Sequence, residues 1–154
     1  MAYATLVNGS TIYKTELAHT LSDDDLVSDY SQLSFGLEHT LYGVLAKGDI
    51  GLIAEYYRYE EQDDSKLGAK EFGNLFANDV VLGFRYSFND SADSDILGGV
   101  DFDRDNNEKI ISLEYNTRLY DKYKLGLTYL HLSPEEGSLF QELDSVKLDF
   151  GYYF

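Results

Sequence analysis

An all-β fold, an antiparallel up-and-down transmembrane β-barrel of eight strands, is predicted by three observations in this sequence. The first is the closing segment. Read back by twos from the C-terminus it gives Phe154, Tyr152, Phe150, Leu148 and Val146, all apolar or aromatic. The intervening residues are Tyr153, Gly151, Asp149, Lys147 and Ser145, small or polar apart from the one Tyr. Successive side chains of a strand point to opposite faces, so this is one strand with an apolar side and a polar side. The second observation is that the same alternation recurs along the chain between turn-forming residues, with no helical period outside one long loop. The third is that the connections sort by length onto two ends.

The elements follow in order. Residues 2–7 read as a strand stub, ended by Asn8-Gly9, a strong hairpin signal. From Ser10 to Leu21, Tyr13, Thr15, Leu17 and His19 alternate with Lys14, Glu16 and Ala18. An acidic loop, Ser22 to Asp29, leads to a strand at Tyr30–Gly43 with Leu33, Phe35, Leu37, His39 and Leu41 on one face. A short turn to Gly48 precedes Asp49–Glu61, where Ile50, Leu52, Ala54 and Tyr56 oppose Gly51, Ile53, Glu55, Tyr57 and Tyr59. The longest loop, 62–78, is expected to hold a helical turn around Phe72, Leu75 and Phe76. Then come Val80–Phe88, Ile96–Asp103, Ile111–Leu119, a strand starting at Tyr123, and Val146–Phe154. Each strand has about the 9–11 residues that cross a bilayer at a tilt. No Lys or Arg is expected on the apolar face of a strand core.

Composition narrows the function classes. The chain has 154 residues, enough for a single domain spanning 1–154, and no Cys, so neither disulfides nor thiol chemistry enter. A formal charge of −16 excludes nucleic acid as a partner, because phosphates would be repelled. No run approaches the 18 apolar residues of a transmembrane helix, which is immaterial to strands that alternate. The sequence enters strand-like residues at once, so a leader is expected to have been removed, or the chain to be a piece of a larger barrel.

With Phe154 set at the periplasmic side, the connections at 22–29, 62–78, 104–108 and 133–142 are expected outside the cell. Those at 8–9, 43–48, 89–94 and 120–122 are expected in the periplasm, and all are short, the asymmetry of outer-membrane barrels. Tyr13, Tyr42, Phe88, Tyr123 and Phe154 would form one aromatic girdle, and Tyr30, Tyr56, Phe102 and Tyr129 the other. A soluble lipocalin-like binding barrel has the same alternation with inside and outside exchanged. The Gly-rich polar face, the terminal Phe and the one-sided loops favour the membrane form.

Several stretches carry a family resemblance: Gly36-Leu37-Glu38-His39-Thr40-Leu41-Tyr42, Asp49-Ile50-Gly51-Leu52, Asn78-Asp79-Val80-Val81-Leu82-Gly83-Phe84-Arg85, Ser112-Leu113-Glu114-Tyr115 and the closing strand. From Phe35 to Phe154 the chain resembles the C-terminal part of uncharacterised proteobacterial outer-membrane β-barrel proteins. The resemblance implies location in the cell outer membrane of a Gram-negative bacterium. It also implies Val146, Leu148, Phe150, Tyr152 and Phe154 as the insertion signal read by the barrel-assembly machinery, and outer-membrane lipids and lipopolysaccharide as partners. Members of this group are longer, with strands before this segment, and the stub at 2–7 fits the end of one.

The expected role is structural or that of a porin-like passive channel, with no reaction and no cofactor. The charges placed inward are Lys14, Glu16, Glu38, Glu55, Arg85, Asp101, Asp103, Glu114, Arg118, Lys147 and Asp149. In an eight-strand barrel they would pair into a plug, Arg118 with Glu114 or Asp149, for example. In a wider barrel they would line a channel favouring cations or neutral solutes. The acids Asp23, Asp24, Asp25, Asp29, Glu60, Glu61, Asp63, Asp64, Glu135 and Glu136 fall in or beside the extracellular loops, where divalent cations are candidate partners. None has calcium-hand spacing, and no metal site is expected. His19 and His39 are expected at the membrane interface without partners. Finally, His131-Leu132-Ser133, with Glu142 on the facing strand end, resembles the His-x-Ser and Glu of outer-membrane lipid A deacylases. That would imply acyl transfer by Ser133, His131 and Glu142. The sequence departs from that family after Ser133, where Pro134 and Glu135 replace an Asn context that helps build the oxyanion site.

Overall fold

The structure, a computed structural model, describes residues 1–24, 26–45, 47–63, 65–66, 78–105, 107–120, 122–134 and 141–153. Nine strands account for most of them: β1 (Ala2–Asn8), β2 (Thr11–Thr20), β3 (Tyr30–Val44), β4 (Gly48–Glu61), β5 (Asp79–Ser87), β6 (Asp95–Asp103), β7 (Lys109–Leu119), β8 (Tyr123–Ser133) and β9 (Leu143–Tyr152). They lie side by side in sequence order in one open sheet, each antiparallel to the next. Hydrophobic alternation thus places β2 to β9. The expected helical turn falls on residues that are not described.

The strand count differs from the eight expected. The stretch read as a strand stub, 2–7, belongs to a ninth strand that pairs with β2 over the whole register Ala2↔Leu17 to Asn8↔Thr11. Asn8 belongs to the strand, and the two-residue turn is Gly9-Ser10, with Gly9 at φ +59°. A hairpin with Gly in the first central position matches the twist of its strands, and so β1 folds back along β2. The far edge of β2 is therefore filled, and the sheet's outer edges are β1 and β9. β9 also starts earlier than expected, with Leu143 opposite Leu132 and Asp144 opposite His131.

Register divides the strands into two faces. One carries Leu17, Phe35, Leu52, Leu82, Phe84, Leu113, Leu127, Tyr129, Leu148 and Phe150, all more than a third exposed. The other carries the polar set, including the buried Asp79, Asp103 and Tyr59. Tyr59, 5% exposed, is the buried hydrophobic residue among those described, and its ring lies 5.2 Å from that of Tyr30. This is the reverse of a soluble domain, where burial of the apolar face supplies the main stabilisation. On the apolar face Phe84 lies over Gly98, where a Cβ would come within 2.5 Å of its ring.

Two expectations about the faces change. Tyr30 pairs with Glu61 in register and packs with Tyr59 on the polar face, so it is not a girdle residue. Arg58 and Lys109 stand in register on the apolar face, opposite Leu33 and Ser133, near strand ends. Arg58 is neutralised there by Glu60, its Nε donating at 2.8 Å. At the other end of the sheet, Tyr123 lies 5.5 Å from Phe150 and 5.2 Å from Tyr152, and Tyr86 packs edge-on to Phe88 at 4.7 Å.

Candidate functional site

All eleven charges assigned to the polar face share it in the observed register. The row Lys14, Gly36, Glu55, Val81, Asp101 runs across five strands. The row Gly51, Arg85, Leu97, Glu114, Thr128, Lys147 runs across six. Period-two alternation makes this face legible, because one register slip would exchange it for the apolar one.

The pairing within it was only partly legible. Lys14 pairs with Glu38 on β3, and Lys147 with Asp149 two residues along its own strand at 3.0 Å. Arg85 reaches Asp95 on β6 at 2.8 Å. Arg118 pairs with Asp93 in the β5–β6 connection at 3.2 Å, and not with Glu114 or Asp149 as expected. Arg118 sits near the strand end, where the turn brings the carboxylate closer than any cross-strand acid. Glu114 instead accepts from Asn116, and Glu55 from the Tyr57 hydroxyl at 2.7 Å. Asp93, Asp95, Asn116 and Tyr57 were the residues missed. Sequence periodicity places Asp95 and Tyr57 on this face, but only the strand pairing shows whom they touch. In the open sheet the cationic side chains keep 46–68% of their surface accessible.

The second cluster lies where β8 passes to β9. Nδ1 of His131 is 3.0 Å from Oδ1 of Asp144, and the Tyr129 hydroxyl donates to the same oxygen at 2.8 Å. Glu142 completes a group whose potential ligand atoms lie within 4.8 Å of one another. Ser133 is on the same strand as His131, but among the described residues no hydrogen bond joins them. The carboxylate that orients the imidazole is Asp144 and not Glu142. Asp144 lies between the end of the expected loop at Glu142 and the expected strand from Val146, so the sequence reading gives it no role. His19 lies 3.0 Å from Ser31 Oγ and His39 2.8 Å from Thr11 Oγ1, each on the neighbouring strand.

The acidic loops mostly serve their own turns. Asp24 accepts from the Leu26 backbone N–H and Asp29 from that of Ser22. Asp63 accepts from the Ser65 hydroxyl and N–H, which hold its carboxyl below the ordinary value of 3.8. Asp25, Asp64, Glu135, Glu136 and the terminal Phe154 lie outside the described residues. Comparison of the chain with protein families, with curated proteins and with solved structures found no match.

Proposed function

We propose that this chain forms the wall of a β-barrel in the outer membrane of a Gram-negative bacterium, acting as a structural or porin-like passive channel protein without a reaction of its own. The observation that carries this reading is the inverted burial: a broad, continuous apolar face is exposed while acids and a Tyr are buried on the polar one. In water such a face is a large unfavourable surface; against acyl chains it is the favourable one. A soluble binding barrel would require the two faces to be exchanged.

In this reading Leu148, Phe150 and Tyr152 belong to the strand through which the assembly machinery takes up the chain. The connections 21–29, 62–78, 104–108 and 134–142 share one end of the sheet and meet lipopolysaccharide. The polar face lines the lumen. Acids outnumber bases there, which favours cations and neutral solutes.

The chain has no Trp, so single Trp substitutions report each face separately. In bilayers containing brominated lipid, Leu127→Trp is expected to be blue-shifted and quenched, and Thr128→Trp neither. Equal quenching at both positions, or a stable folded monomer in detergent-free buffer, would sink the membrane reading. Planar-bilayer conductance then separates channel from structural wall: a folded sample without conductance excludes the channel.

A further inference from the structure

We propose that His131, Glu142 and Asp144 form a site for a divalent transition metal of the Zn2+ type at the β8–β9 hairpin. His131 on β8 stands opposite Asp144 on β9, and Glu142 precedes it by two residues, the spacing that returns a side chain to the same face. One donor atom from each lies within 4.8 Å of the other two. With metal–ligand bonds of about 2.0–2.2 Å, a tetrahedral ion places neighbouring donors roughly 3.4 Å apart. The His131–Asp144 contact, at 3.0 Å, need open by only a few tenths of an ångström to reach that spacing. Glu142 closes the trio from an exposed position just before β9 begins.

The ion takes the position of the hydrogen bonded between Nδ1 and Oδ1. Tyr129, which donates to the same carboxylate, then fixes the ligand's orientation from outside, as hydrogen-bond partners of ligating groups do. One imidazole nitrogen with two carboxylates suits zinc-like ions; calcium and magnesium take more oxygens than this trio offers. Charge points the same way. Two carboxylates at the margin of an apolar face are uncompensated when His131 is neutral, and a dication cancels them. Three protein ligands leave a further position for water or an anionic oxygen. Among the described residues this is the one trio of His or acid side chains so gathered. His19 and His39 bond only hydroxyls in the structure.

The test is Zn2+ titration of the full chain in detergent micelles by calorimetry, with Co2+ absorption as a direct view of the ligand field. The expected result is one ion per chain. His131→Ala, Asp144→Asn and Glu142→Gln should each weaken binding by more than about tenfold, and Tyr129→Phe by about tenfold. His19→Ala should leave it unchanged. Glu142→Gln lies outside the strands, so it tests the site without disturbing pairing. Absence of Zn2+ binding by the folded wild-type chain overturns the proposal. So does affinity unaltered in both His131→Ala and Glu142→Gln. The readout needs only the folded hairpin, so its failure is distinct from failure of the membrane reading.

Discussion

Gly98 shows what a single position contributes on the exposed apolar face. The Phe84 ring lies close enough to it that an added Cβ would meet ring carbons at 2.5 and 2.8 Å. Gly51, by contrast, would present a Cβ with a backbone oxygen 4.0 Å away as its nearest neighbour. Gly98→Leu is therefore expected to cost about 1–3 kcal/mol through overpacking, while Gly51→Ala is close to neutral. Urea unfolding in detergent measures both, and equal effects would refute the close approach. The need for Gly at 98 could not be read from the sequence, since nothing in the alternation says that Phe84 leans across to the next strand. The identity of the polar-face charges could be read, because alternation alone separates Lys14 and Glu16 from Tyr13 and Thr15.

At the scale of elements, connections decide more than the strands do. The β5–β6 turn is held by Asp90, whose Oδ1 accepts from the backbone N–H groups of Ser94 and Ala92. These bonds, that of Ser94 foremost, hold its carboxyl below the ordinary 3.8. A carboxyl lowered on folding adds stability above its unfolded value, and the gain disappears as pH falls through the folded one. Asp90→Ala is expected to lower the melting temperature at neutral pH, and the difference from wild type should close as pH falls through the lowered value of the folded state. A difference independent of pH would assign the effect to the turn's shape alone. The same turn supplies Asp93 to Arg118, which explains why sequence reasoning chose the wrong acid. Periodicity shows which face a strand residue occupies, but it contains no information on where a turn side chain swings. The β1–β2 hairpin shows the same limit: the sequence reads residues 2–7 as a strand stub before a turn at Asn8-Gly9, and only the pairing with β2 shows Ala2–Asn8 as a strand of seven residues.

For the whole molecule, the inverted faces fit the proposed barrel: in that reading lipid takes the place that a second layer takes in a soluble protein. The sheet's nine-strand order has a further consequence, one of polarity. In a meander every odd-numbered strand runs the same way, so β1 and β9 are co-directional. A ring closed by joining them would contain one parallel seam in an otherwise antiparallel wall. A wholly antiparallel ring needs an odd number of additional strands between them. The absence of native Cys makes the choice measurable. Single Cys residues at Tyr3, Thr5 or Val7, combined with single Cys residues at Ser145, Lys147 or Asp149, should yield no disulfide in the folded protein if strands intervene, because even one intervening strand separates the edges by about 10 Å. An oxidised pair in this set would establish the parallel seam and limit the lumen to the bore of nine strands. Without one, β1 and β9 are not neighbours, and any ring that these strands enter is wider than nine strands.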